Sequence, residues 1–535
     1  VLFSTGADIR LEQFRPSVGE RRTFPTTTRV RRPRAPLDES YERVVGVERA
    51  SPVLRAAGRD LTAAIGESFM LLAVDTESFA EVAWFRDDFA GKSMDSLLTS
   101  IKVENPPQGI VLPDDATALR LNVRPDRRHA TLRLTARVMN DRGQHFTYDL
   151  GSLAGEGWTV KEANLGTPGA GVPLVLTSLR VHETVFERNL ESGSLLIDEI
   201  SVRTRGGGVV VLETFDSVDG WAVIRGAPES KADGLLGFGG GADVPRSALF
   251  SWVSGRTRTP RGIFHGPGQQ LFPVLASKAF TDVTGHSRGD SFEVFVSGYR
   301  LPVMIADTIT MFPTVTDPDE PFLVADWPAV SRYANLSPMI TELLPNELWI
   351  STSPDRDNDG LARRLSGVGG FSHGEVQDRA ARLAGSKIDP LVEAGWKALL
   401  FIAFSAVLLL SSVGFLIHAY VSFKSRRLQY ALLRTVGTSM RQIMAMVWLE
   451  QTLIVVAGLG LGTWLGGRLG NVILPFLAHD DFGGQVMPPY RMEVSWEMLL
   501  TSYIAMVGVF AIIITSIVWL VHRISLQRML RLGEA

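Results

Sequence analysis

Apolar positions along the chain follow three rhythms. Toward the C-terminus they form unbroken runs. Ala398 to Phe423 carries no charge over 26 residues. As a helix it would be about 39 Å long, enough to cross a hydrocarbon core of about 30 Å with tilt. A second run, Ile443 to Leu474, contains only Glu450 and Arg468, and a third covers Met498 to Val521. Soluble helices keep a polar face, so these runs predict three transmembrane α-helices. From 85 to 225 the rhythm is two. "ALRLNV" puts Leu119, Leu121 and Val123 on one face, and "TLRLTARV" does the same with Leu132, Leu134, Ala136 and Val138. "FTYDL", "WTVKEA", "PLVLTSLRV", "SLLIDEISV" and "GVVVLETF" follow between turn residues such as Asn140-Asp141 and Gly206-Gly207-Gly208. Short alternating strands in series predict a jelly-roll-like β-sandwich.

The stretches on either side, 1–84 and 226–375, mix helix and strand patterns. "GADIRLEQF" and "SFMLLAVDTESFAEVAWF" lie ahead of the sandwich. Behind it come the helix-like "FPVLASKAFTDV", the strands "SFEVFVSG" and "LPVMIADTI", and "PFLVADWPAVSRYANL". Their common texture predicts one α+β domain, split by the sandwich as an insertion. Residues 376–535 then hold a polar helical stalk, expected to stop near Pro390, and the three spans.

Charge fixes an orientation. The loop after the first run holds Lys424, Arg426, Arg427, Arg434 and Arg441, and the tail holds Arg523, Arg528 and Arg531. Between the second and third runs, 475–497 holds only Arg491 among four acidic residues. Lys and Arg mark the cytoplasmic side. The first loop and the C-terminus are therefore expected inside, and residues 1–397 outside, as an extracytoplasmic domain. The chain from Val1 shows no leader or anchoring helix, so a further membrane helix is expected before it.

Composition removes several chemistries. Cysteine is absent, which excludes disulfides, thiolate metal sites and a cysteine nucleophile. The nine histidines are scattered with no ligand-pair spacing, and a net charge of −3 gives no basis for nucleic-acid binding. Gly285-His286-Ser287-Arg288-Gly289 matches a nucleophile elbow, but helix precedes and strand follows, the reverse of what that chemistry needs. Asp355-Arg356-Asp357-Asn358-Asp359-Gly360 opens like a calcium loop, yet position twelve is Ser366 rather than a bidentate glutamate. No P-loop occurs. The arginine cluster at 21–34 is cut by Pro25 and Pro33 and reads as a solvated loop, with contact to anionic headgroups as the alternative. No catalytic residue, metal or cofactor is expected. Gly458, Gly462, Gly466 and Gly470 fall four apart in the second run, a stripe at which another helix can approach closely.

The most informative segment is "KSRRLQYALLRTVGTSMR", residues 424–441. As a helix it puts Leu428, Ala431, Leu432, Thr435 and Val436 on one face and Arg427, Arg434 and Arg441 on another. Gly437 is positioned to stop it, and the next span restarts with Ser or Thr as N-cap. An interfacial helix would explain the charge but not this helix–glycine–helix pattern.

The stretch "ALLRTVGTSMRQIMAMVWLEQTLIVVAGLGLGTWLGG" resembles the FtsX-like permease family of ABC systems, in the macrolide-exporter and lipoprotein-releasing types. Leu433-Arg434, Gly437, Ser439, Arg441-Gln442, Leu449-Glu450 and the glycine-rich second run carry the resemblance. "YERVVGVERASPV", "GDSFEVFVSGYRLPVMIADTITMFPT" and "PNELWI" look like the extracytoplasmic core of the large duplicated permeases, and "GADIRLE" like the start of its second copy. One departure is Gln429, where the family commonly has glutamate. The resemblance implies a transmembrane subunit whose cytoplasmic segment (Arg427, Gln429, Leu433, Arg434, Gly437, Ser439 and Arg441) docks on a separate ABC ATPase. It also implies a second permease half or homodimer partner, and export or envelope lipid and lipoprotein handling outside. A scaffold activating an extracytoplasmic cell-wall hydrolase would use the same parts. A carbohydrate-binding surface protein would rest on the sandwich alone.

Overall fold

The computed structural model describes residues 2–12, 15–16, 41–62, 66–86, 89–141, 143–166, 173–185, 189–225, 229–239, 246–255, 261–268, 271–315, 317, 319–337, 342–353, 360–365, 371–372, 374–386, 390–477 and 496–523. The arginine cluster at 21–34, most of the Asp355–Gly360 loop, Arg491, and the tail with Arg528 and Arg531 lie outside these. Two compact units result, Val1–Gly385 and Ser386–Ala535.

The first unit is built on a nine-stranded mixed sheet. Its central strands are apolar at consecutive positions because helices cover both faces. In Ser68–Val74, Phe69, Leu71 and Ala73 join a core closed by the helices Lys278–Thr284 and Trp327–Asn335. Leu72 and Val74 of the same strand join a second core with the helices Phe79–Val82 and Met94–Ile101. Ser68–Val74 runs parallel to Phe322–Asp326, and Phe272–Ser277 parallel to Tyr299–Ile309. The 14-residue strand Val47–Asp60 pairs with Ser68–Val74 on one edge. On its other edge it takes Glu347–Thr352 and then, at Gly58–Asp60, Val294–Val296. That last pairing closes six strands into a ring. A Cβ at Gly58 would stand 2.5 Å from the Phe69 ring, so only glycine lets the strand turn this tightly.

"FPVLASKAFTDV" was expected to be helical throughout. It is instead the strand Phe272–Ser277 followed by the helix Lys278–Thr284. Ser277 makes the switch, its hydroxyl capping the Phe280 N–H at 3.0 Å.

Two antiparallel six-stranded sheets lie face to face over one core. One sheet contributes Leu119, Leu121 and Val123, the other Leu134, Ala136 and Val138. Arg120, Asn122 and Arg124 alternate outward, the period-two rule of a half-buried strand. The boundary expected at 225 shifts. Gly234–Phe238, Ser247–Trp252 and Arg261–His265 pair into these sheets, while Met94–Ile101 packs with the mixed sheet. The sheets run from Ile110 to His265. Gly109 N–H donates to the His265 carbonyl at 3.3 Å, so the chain enters and leaves the sandwich at one place. One outer face docks on the mixed-sheet domain: Ser178 Oγ donates to the buried Leu336 carbonyl at 2.7 Å, and Arg137 reaches Glu342 at 3.2 Å.

The second unit is helical: Pro390–Ser425, the short Arg427–Thr435, Met440–Leu477 and Trp496–Arg523. Lys397–Ser425, Met440–Ile473 and Trp496–Ser516 are long and apolar enough to cross a membrane. A polar helix, Arg379–Ser386, ends ahead of Pro390, and Pro390 opens the first long helix, where its missing N–H costs nothing. The third long helix packs on the other two, with Phe415 edge-on to Phe510 at 5.0 Å and the hydroxyls of Thr463 and Tyr503 hydrogen-bonded. Thr463, Thr501, Ser502, Thr515 and Ser516 each donate to a carbonyl four residues back, satisfying polar groups on helices that otherwise expose mostly apolar side chains.

Candidate functional site

The segment 424–441 builds a helical hairpin. The first long helix ends at Ser425, and Arg426 interrupts it with φ −99° and ψ 10°. The short helix then runs for nine residues. It stops because Gly437 takes φ +102°, a region that costs a side-chain-bearing residue roughly 1–2 kcal/mol. Gly437 N–H and Thr438 N–H bond back to the carbonyls of Arg434 and Leu433, each at 3.2 Å. Ser439 restarts the chain as a helix. Its hydroxyl accepts from Gln442 N–H at 3.4 Å while Gln442 Oε1 accepts from Ser439 N–H at 2.9 Å, a reciprocal capping box.

The expected faces change in one respect. Arg441 sits in the next helix, Met440–Leu477, so the bend at Gly437 removes it from the face of Arg434. Arg427 opens the short helix. The apolar stripe is uncovered: Leu428 is 75% exposed, Leu432 59% and Val436 85%. Gln429, Leu433 and Arg434 are exposed as well. What packs inward is Tyr430, its ring 5.8 Å from that of Phe423 at 18°.

The glycine stripe is likewise open. A Cβ at Gly458, Gly462 or Gly466 would meet nothing within 4 Å, and Gly470 is half-exposed. Among the described residues, nothing stands where side chains at Gly458, Gly462 and Gly466 would project.

Sequence reasoning missed the pairing of Arg426 with Glu450. Nη1 lies 3.0 Å from Oε1 and 3.1 Å from Oε2. The signal was present, since a carboxylate in an apolar run needs a partner.

The sequence model of the FtsX-like permease C-terminal family matches residues 401–526. Residues 401–526 form an FtsX-like permease domain. This family supplies the transmembrane component of ABC systems, and the hairpin, the glycine stripe, the second and third long helices and most of the first fall inside the matched residues. No curated protein matches the chain. The permease domain accounts for the membrane character of the protein, and its three long helices for how it would be held there.

Outside the permease domain the geometry argues against chemistry at the Gly285–Gly289 turn. The helix Lys278–Thr284 precedes it and the strand Ser291–Val296 follows. Ser287 N–H donates to Asp290, and His286 Nε2 lies 3.1 Å from Asp60 and stacks on Phe292 at 4.0 Å. Among the described residues no three His, Asp or Glu side chains form a metal-binding group. A shallow groove of about 280 Å³ includes Arg55, Phe69, Met70 and Glu320, but the Arg55 guanidinium is already taken by Glu347 and Thr314.

Proposed function

We propose that the chain is the transmembrane subunit of an ABC export or envelope-handling machine, coupling a separate ATPase to movement of the strand-rich unit. In this reading the hairpin 426–450 and the C-terminus face the cytoplasm and the strand-rich unit lies outside. The carrying observation is the hairpin's exposed apolar stripe. Leu428, Leu432 and Val436 form a row along the short helix up to its stop at Gly437, with Arg434 beside it, which is how an amphipathic helix is presented to a groove. Docked on the ATPase, this row would pass the ATPase's closure to the first and second long helices. Substrate need not traverse the helices. The open glycine stripe would meet a second permease half or a second copy.

Pull-down of the cognate ATPase, with its turnover measured in the complex, tests the docking. Gly437→Val places a β-branched residue at positive φ and misdirects the hairpin. Arg434→Glu reverses charge at the contact, where an unpaired interfacial charge costs about 2–5 kcal/mol. Both should insert normally and lose ATPase binding or coupling. Wild-type binding and coupling in both variants would refute the docking role.

A further inference from the structure

The reading of the hairpin as the ATPase contact leaves open what holds its base. The short helix is about 13.5 Å long, and the stretch from Met440 to Leu449 about 15 Å. The two arms thus run out to the bend at Gly437 and back over nearly equal lengths. Arg426, just before the first arm, and Glu450, just after the second, meet at the open end. Further contacts sit at the same junction. Tyr430 on one arm and Val447 on the other line a common cavity with Ser422, Phe423 and Gln451. Gln451 is 4% exposed, and its Oε1 finds no hydrogen-bond partner. Tyr430 stacks on Phe423 and hydrogen-bonds Arg426, contacts that stay on the side of the first arm, so the ion pair is the charged link from the base of one arm to the base of the other. Its side chains are 44% and 29% exposed, so salt still reaches it.

We propose that Arg426 and Glu450 are positioning residues: their ion pair is an electrostatic latch that closes the hairpin's base and makes it move as one piece with the second long helix. Without the latch the short helix would still present Leu428, Leu432 and Val436, but it would swing about Ser425–Arg426 instead of pushing on Met440–Leu477. Binding of the ATPase and transmission of its motion would come apart.

The test uses the full chain in lipid nanodiscs with spin labels at His418→Cys and Thr435→Cys; the chain has no native cysteine. The distance distribution should be narrow in the parent, broad in Arg426→Gln and in Glu450→Gln, and narrow again in the exchanged pair Arg426→Glu/Glu450→Arg. Raising salt from about 50 mM to about 500 mM should broaden the parent and leave the single variants unchanged. With the ATPase added, pull-down should stay near parent level in the single variants. Stimulation of its turnover should fall at least about fivefold, the lower end of typical coupling, and return in the exchanged pair. Narrow distributions in the single variants, or an exchanged pair as broad as they are, would overturn the latch. If the parent fails to bind the ATPase, the docking role fails, while the distance measurements still decide the latch.

Discussion

At the scale of single residues, the sequence was most readable where the backbone makes a special demand. Gly437 reads as a helix stop because no other residue so readily adopts positive φ, and its φ of +102° meets that demand. Ser439 was readable as a cap for the same local reason. Glu450's partner was not, because it lies 24 positions away and only the bend brings it close. Asp326 was equally hidden. Burial pushes its carboxyl up to about 6, against hydrogen bonds from Val103 N–H and the Thr76 hydroxyl, with Asp75 adding to the rise. A carboxyl raised above its unfolded value of about 3.9 adds stability in full below that value and loses it as pH rises through about 6. Thermal unfolding of the full chain, followed by near-ultraviolet circular dichroism, should show the wild type gaining on Asp326→Asn as pH falls from 7 to 5. Parallel curves would mean that the acid is not held neutral by the fold.

At the scale of elements, long runs with one period were legible and short ones at a junction were not. The three predicted runs became the helices Pro390–Ser425, Met440–Leu477 and Trp496–Arg523, each running past its apolar stretch at both ends. "FPVLAS" could not be told from a helix by pattern, since a strand covered on both faces loses its alternation. The sandwich boundary was misplaced for a related reason. Strands beyond 225 such as "GLLGF" are short and glycine-bearing, and only pairing with Ser247–Trp252 identifies them. The glycine stripe makes its own prediction here. Because, among the described residues, a Cβ at Gly462 would meet nothing within 4 Å, Gly462→Leu should leave helix content and thermal stability unchanged. It should weaken association with a second membrane helix, read by cross-linking in the bilayer, with nearly isosteric Leu461→Ile as the control. A loss of folded monomer would instead place the stripe against its own chain. Undiminished cross-linking would remove it from any interface.

At the scale of the whole molecule, the apolar runs separate a membrane part from a strand-rich part, since three apolar helices and a strand-rich region cannot share one solvent. Sidedness rests on loop charge and is open to labelling. In intact cells carrying the membrane-inserted protein, Ser425→Cys should resist an impermeant thiol reagent, while Ser192→Cys and Gly484→Cys should react. Reaction at Ser425→Cys from outside would invert the arrangement. The internal order of the strand-rich unit was less legible, because its sheet joins strands from the two extremes of the unit. Ile9–Leu11 lies between Glu347–Thr352 and Val376–Asp378, antiparallel to both. Asp8 binds Arg379 twice, through an ion pair at 2.6 Å and a backbone hydrogen bond at 3.0 Å. This arrangement has a mechanical side. In an antiparallel pair the chain arriving at Asp8 and the chain departing at Arg379 emerge from the same end. Tension that draws these two connections apart meets the hydrogen bonds singly, beginning at Asp8–Arg379, as a zipper opens. Tension between Arg379 and the body of the sheet runs along the strands and loads several bonds together. This edge of the sheet is therefore compliant to a force that peels the segment before Asp8 from the segment after Arg379, and stiff to one that pulls Arg379 along the strands.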